Sequence, residues 1–186
     1  TAQMVQALNG IVPAEILLQQ IPFVEDAEAA AEKIGANPLL ARTGAYFHDI
    51  GKLKRPLYFK ENQRGDNPHD RTDAYVSASI VTAHTSDGLA LAQKHHLPPE
   101  IQRIIVEHHG DTPVMYFYHK ALQQADGKPV DIKDFRYGGS RPSTKESAIV
   151  MLADTISSSI SEGLSSPLAT LSARMRAARV ISQREE

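Results

Sequence analysis

Apolar residues recur at helical spacing along most of this chain, in segments separated by proline, glycine and polar clusters. Asn37-Pro38 reads as an N-cap with proline at the first helical position. It opens a helix through Leu39, Leu40 and Tyr46 that stops at Gly51. A further helix is expected from about Asp73 to His84, and a short one from about Gly88 to His95. Pro98-Pro99 opens another, carrying Ile101, Ile104 and Ile105 to His109, with Gly110 as its stop. Thr112-Pro113 starts the next, ending near Gln124. Ser143-Thr144-Lys145-Glu146 has capping-box form ahead of a long apolar segment. Ser166-Pro167 begins a last helix, with Leu168, Leu171 and Met175 on one face.

Two stretches, 53–70 and 125–142, lack periodicity and are rich in turn residues. They read as loops able to border a cleft. No repeat and no convincing strand interrupts the pattern, so the expected fold is all-α, a single helical domain over residues 1–186.

The segment from about 143 to 163 is apolar nearly all round. Ile149, Leu152 and Ile156 form one stripe, while Val150 and Met151 lie elsewhere, which predicts a central, buried helix. Asp154 sits in it with no lysine or arginine close by in sequence. A buried carboxylate needs a partner, so something positive should meet it in space.

Three other segments carry the same kind of intrusion. His48-Asp49 interrupts Ala45-Tyr46-Phe47 and Ile50, His84 ends Ile80-Val81-Thr82-Ala83, and His108-His109 ends the isoleucine-rich helix. Each alone has an ordinary structural reading: a hydrogen-bonded core histidine, an imidazolium at a helix C-terminus, or a salt-bridge partner. Together they read as a metal site assembled from several helices. A carboxylate can bridge two metals where imidazole cannot, which suits Asp49. His84, His108 and His109 can close one metal site, while His48 and Asp154 contribute to the other. Such a pair lowers the pKa of a bridging water and neutralises a phosphodiester's developing charge. Lys52, just past the His-Asp pair, is placed to contact a phosphate oxygen. His95-His96, His69 and His119 lie in polar or loop surroundings and read as solvated, with His69 and His119 able to border the cleft.

Composition narrows this further. The 186 residues carry a formal net charge of −2, so no global basic field points to a nucleic-acid polymer or anionic lipid. The chain has no cysteine, which removes disulfides, thiolate zinc sites and a cysteine nucleophile. Ligation must come from imidazole and carboxylate, a set that suits iron, manganese or zinc. No apolar run reaches membrane-spanning length.

The motif His48-Asp49, with His84, His108-His109 and Asp154, resembles the HD-domain phosphohydrolase superfamily. Tyr46-Phe47-His48-Asp49-Ile50-Gly51-Lys52, Lys54-Arg55-Pro56, Tyr58-Phe59, Glu61-Asn62-Gln63 and Asn67-Pro68-His69-Asp70 look more narrowly like the cytosolic HD domain of the seven-transmembrane-receptor HD family. So do Glu107-His108-His109-Gly110, Tyr116-Phe117-Tyr118-His119-Lys120-Ala121, and Lys145-Glu146 through Met151-Leu152-Ala153-Asp154. The resemblance covers about residues 25–155. It implies an HD-domain helical bundle, a dinuclear iron or manganese centre, and hydrolysis of a cyclic dinucleotide, cyclic di-AMP, to linear pApA. It also implies a cytoplasmic domain attached to the membrane-spanning region of a bacterial membrane protein. Tyr58, Tyr116 and Tyr137 are candidate stacking surfaces for the bases.

Three departures stand out. The family places another histidine ligand about 29 residues before His48, where this chain has Gln19, followed by Pro22. Asp73-Ala74 replaces the family's Ser-Pro ahead of the helix bearing His84, and Thr155 through Gly163 lacks the Glu and Arg that normally follow the aspartate motif. Glutamine is a poor substitute for imidazole. Glu15, one turn away, offers a carboxylate, and a residue from a rearranged N-terminal segment is another source. A domain keeping one metal, which senses a nucleotide without hydrolysing it, is the alternative. Unreliable sequence at the two ends would also produce the mismatch. A mononuclear enzyme acting on nucleoside monophosphates fits the paired His108-His109 less well.

Overall fold

The computed structural model describes residues 21–63 and 65–161. Gln19, Glu15 and the helix expected from Ser166 lie outside the described residues. Six α-helices are present among those described: α1 (Ile21–Lys33), α2 (Pro38–Phe47), α3 (Ala74–Lys94), α4 (Pro99–Glu107), α5 (Met115–Gln124) and α6 (Lys145–Ser161). Short 3₁₀ turns fill 50–70 and 132–135, and no named strand occurs among the described residues. The fold is all-α, as the periodicity predicts.

Helices α1, α2, α4 and α6 pack around one another, while α3 joins α4 to α5. The seam between α1 and α2 is built from Ala27, Ala31, Ala41 and Ala45, all fully buried, so two helix backbones approach closely. Phe47, Ile104 and Ile105 supply bulk at the centre. Burying each contributes roughly 1.5–3 kcal/mol relative to exposure.

The helix starts follow the expected chemistry with two revisions. The Asn37 side chain accepts from the Leu40 amide at 3.1 Å, and Pro38 follows it. Asp73 caps α3 by accepting from the Tyr75 and Val76 amides, so an aspartate does here what a serine does as a cap. The capping box at 143–146 does not close on itself. Thr144 Oγ1 accepts the Ser147 amide, while Glu146 reaches across to the Asn37 amide at 2.7 Å, joining the start of α6 to the start of α2. Helix α5 begins at Met115 rather than at Thr112, because 112–114 is occupied elsewhere. The Val114 amide donates to the Phe135 carbonyl, and the Thr112 carbonyl accepts from the Tyr137 amide.

The two helices expected over 73–95 are one, α3, running through Gly88. Gly88 marks a close approach instead of a break. A Cβ there would come within 2.8 Å of Ile105 Cγ2, and a Cβ on Gly51 would collide with the His84 carbonyl and approach the Gly88 nitrogen to 2.5 Å. Two missing side chains bring the segment after α2 against the middle of α3. Burial of α6 is likewise uneven: Ala148, Ile149 and Val150 are buried, whereas Met151 to Ile156 are half-buried. That end of the helix lines a polar centre instead of the apolar core.

Candidate metal centre

Helices α2 and α4 both end at the same place. His48 is the C-cap of α2 and Asp49 follows it; His108 is the C-cap of α4 and His109 follows, with Gly110 at φ +56° turning the chain away. The partial negative charge of two helix C-termini favours a cation there. His84 enters from the middle of α3 and Asp154 from α6. The structure thus brings together all six residues singled out as metal ligands.

Asp49 is the hub. Its Oδ1 lies 3.3 Å from His84 Nε2 and 3.7 Å from His108 Nε2, while its Oδ2 lies 3.1 Å from His48 Nε2. On the far side, Asp154 Oδ1 is 3.9 Å from His48 Nε2 and its Oδ2 is 3.6 Å from His109 Nδ1. The groups that meet Asp154 are therefore the imidazoles of His48 and His109, with the Lys52 ammonium near enough to feel its charge. Two donor sets result, Asp49-His84-His108-His109 and His48-Asp49-Asp154, sharing Asp49.

The orientation of the rings follows from local backbone chemistry. Nδ1 of His48, His84 and His108 lies 2.7, 2.7 and 2.8 Å from the carbonyls of Ala45, Val81 and Ile105. A carbonyl only accepts, so each Nδ1 carries the proton that faces it, and each ring turns its Nε2 inward. Burial pushes His108 below the ordinary imidazole value, and burial with the neighbouring His108 and His84 pushes His109 well below it. Burial opposes ionisation of Asp49 and His48 as well. Here the facing charges win, holding Asp49 well below the usual carboxylate range and raising His48.

These facts test whether a cation fits. His84 Nε2 and His108 Nε2 sit 3.1 Å apart, and Asp49 Oδ1 is buried without a hydrogen-bond partner among the described residues. Imidazole nitrogens and a carboxylate oxygen that converge in the interior with so few hydrogen bonds among them favour a positive ion between them. The donor set fits a divalent ion of intermediate softness.

Lys52 sits beside the hub, its Nζ 2.7 Å from both Asp49 Oδ2 and Glu61 Oε1. Burial would lower its pKa, but Asp49, Glu61 and Asp154 outweigh that and raise it, so the ammonium stays charged. The three tyrosines separate. Tyr137 is buried, its ring stacked on His109 at 4.2 Å and edge-on to His84 at 5.7 Å. Tyr58 lies edge-on to His69. Tyr116 is 65% exposed on α5, in a shallow groove with Asp70, His119 and Lys120. His69, expected to be solvated, is buried against Phe117 and lies 2.9 Å from the Tyr58 carbonyl through Nε2. His95 and His96 are exposed as expected.

Sequence reasoning missed the walls of the centre. Phe23 packs on His48 at 4.8 Å, and Phe59 stands edge-on to His84 with Lys52 Nζ 5.2 Å from its centroid. Buried Glu107 accepts the Ser143 amide at 2.8 Å and anchors the loop leading into α6. An apolar ring in a helix or turn carries no mark of which polar group it will face, so only the adjacency of Glu107 to His108 offered a signal.

The HD domain family matches residues 23–159, and the chain belongs to that family. Within it, the chain is 44% identical over 134 residues to the cyclic-di-AMP phosphodiesterase PgpH of Bacillus subtilis (strain 168), covering 72% of this chain and 19% of that protein. It is 46% identical over 135 residues to PgpH of Listeria monocytogenes (serotype 1/2a, strain 10403S), covering 72% and 18%. The crystal structure of the L. monocytogenes PgpH HD domain in complex with cyclic-di-AMP superposes with a TM-score of 0.78 at 36% identity, covering 97% of this chain and 83% of that one. The chain thus spans about a fifth of the length of these curated relatives. No described helix is long and apolar enough to cross a membrane.

Proposed function

We propose that this domain is a metal-dependent phosphodiesterase that opens a cyclic dinucleotide, cyclic di-AMP, to linear pApA. The observation that carries the proposal is the inward convergence of imidazole nitrogens on a buried carboxylate oxygen that has no hydrogen-bond partner among the described residues. Likeness to PgpH supplies the substrate class. His84, His108 and His109 with Asp49 Oδ1 would hold one divalent ion, and His48 and Asp154 with Asp49 Oδ2 the other, both iron or manganese. Bound there, such a pair supplies a hydroxide near neutral pH and offsets the charge that builds on the phosphodiester.

The remaining chemistry falls to this chain's own groups. Asp49 holds the two donor sets at a fixed separation, one oxygen to each. Lys52, charged and only partly exposed, presents its ammonium to a phosphate oxygen when it turns from Glu61. Phe23, Phe59 and Tyr137 exclude water from the imidazoles. Tyr58 and exposed Tyr116 are the surfaces left for bases; stacking contributes roughly 1–3 kcal/mol per base. The test is incubation of the purified chain with manganese and cyclic di-AMP, cyclic di-GMP or simple nucleotides, followed by separation of products. Appearance of pApA from cyclic di-AMP supports the reading, and no product from any dinucleotide defeats it.

Gln19, standing where the family has histidine, favours a second reading. In it the domain binds a nucleotide and passes its occupancy to attached segments without hydrolysis. Metal content separates the two: about two ions per chain supports catalysis, and one or none supports sensing. We also place the domain on the cytoplasmic side of a bacterial membrane protein, in keeping with relatives about four times its length.

A further inference from the structure

Four histidines meet in the centre, and one of them is held differently. His48, His84 and His108 each face the carbonyl three residues earlier through Nδ1. By the same rule His109 would use the Val106 carbonyl. That carbonyl lies instead against the backbone of Gly139, so closely that a Cβ on Gly139 would collide with it. His109 Nδ1 turns to Asp154 Oδ2 at 3.6 Å, beyond hydrogen-bond distance, and no backbone carbonyl pins the ring among the described residues.

What touches the ring face is Tyr137, at 4.2 Å between centroids and 23° between planes. The tyrosine is itself fixed to the turn that carries His109. Its amide donates to the Thr112 carbonyl at 3.0 Å, and Thr112 returns its amide and hydroxyl to the His109 carbonyl at 3.2 and 2.8 Å. The Val114 amide donates to the Phe135 carbonyl, and Arg136 donates to the Asp111 carbonyl at 2.7 Å. Phe135 is fully buried against Tyr75 and Tyr118. The stack is thus closed by backbone on one side and clamped by core packing on the other.

We infer that Tyr137 is a positioning residue: it sets the plane of the His109 imidazole for ion binding, in place of the carbonyl that orients the other three. This rests on the two-ion reading above. It also removes Tyr137 from the base-stacking surfaces, since its face is already covered by His109. Outer partners that orient a metal-ligating histidine are worth 10–100-fold in metal affinity on average.

The experiment titrates manganese into metal-free wild-type chain and into the Tyr137→Phe and Tyr137→Leu variants by calorimetry, alongside thermal melts of each metal-free protein. The expected result is two ions in wild type and in Y137F, with unchanged affinities. Y137L should keep one ion at wild-type affinity and bind the other about 10–100-fold more weakly. A fold defect would weaken both steps together and would lower the metal-free melting temperature, so selective loss identifies positioning. Wild-type affinity for both ions in Y137L overturns the role of Tyr137 alone. Failure of wild type to bind any ion overturns the two-ion reading and this inference with it. Should Y137L not fold, the His109 ring protons of metal-free wild type, assigned with His109→Gln, decide the matter. An upfield ring-current shift supports the stack, and resonances at ordinary positions overturn it.

Discussion

His108 and His69 are both buried histidines in the same domain, and they are built on opposite principles. His108 gives the Nδ1 proton to its own helix and turns Nε2 toward His84 and Asp49. His69 points Nε2 at the carbonyl of Tyr58, eleven residues upstream. Its own carbonyl accepts the Lys120 ammonium at 2.6 Å, so it fastens the 56–72 segment to α5. The lesson is that burial of an imidazole does not mark a site. What marks it is the direction in which the lone pair is left, and the company it keeps there.

Breaking the first arrangement should be the most damaging change. Replacing His48 and Asp49 together by alanine removes the shared carboxylate, and bound metal and hydrolysis should both fall to background, as metal analysis and product separation would read. Retention of either would erase the distinction drawn here. Next in size, a chelator should silence the wild-type chain, and manganese or ferrous iron should restore it better than magnesium, because magnesium prefers oxygen donors. Recovery on magnesium alone would contradict an imidazole-rich centre.

The second arrangement should fail in another way. His69→Ala should cost about 1–3 kcal/mol of stability in urea unfolding while leaving the number of bound ions unchanged. Burial lowers the His69 pKa, so the unfolded chain binds more protons than the folded one. Its contribution is fully present above the ordinary imidazole pKa of about 6.5 and is lost as pH falls below it. His69→Phe should accordingly flatten the loss of stability between about pH 7 and 5, compared with wild type in parallel melts. The smallest effect belongs to Glu61→Gln. Glu61 is 45% exposed, and pairs of that kind contribute at most about 1 kcal/mol, so turnover should change by no more than about fivefold.

The convergence of His48, Asp49, His84, His108, His109 and Asp154 was legible because each interrupts an apolar, helix-periodic segment with a group that costs energy to bury. Helix starts at Asn37, Asp73 and Pro98-Pro99 were legible because a capping side chain, or a proline at the first helical position, is local chemistry. Gly88 misled because glycine inside a helical pattern has two meanings, a break or a close approach, and only Gly51 across the contact decides between them. The late start of α5 and the role of Tyr137 depend on pairing between 112–114 and 135–137, more than twenty residues apart. His69 looked solvated because its neighbours in sequence are polar. Its neighbour in space is Phe117.

The meeting of Gly51 with α3 bears on which ions this domain accepts. At that point main chain rests on main chain, and no rotamer exists that could yield to a larger or smaller occupant. The spacing between the Asp49 and His84 ends of the cradle is therefore a nearly constant gauge. An alanine at Gly51 would widen the gauge without touching a single donor atom, since its Cβ would collide with the His84 carbonyl.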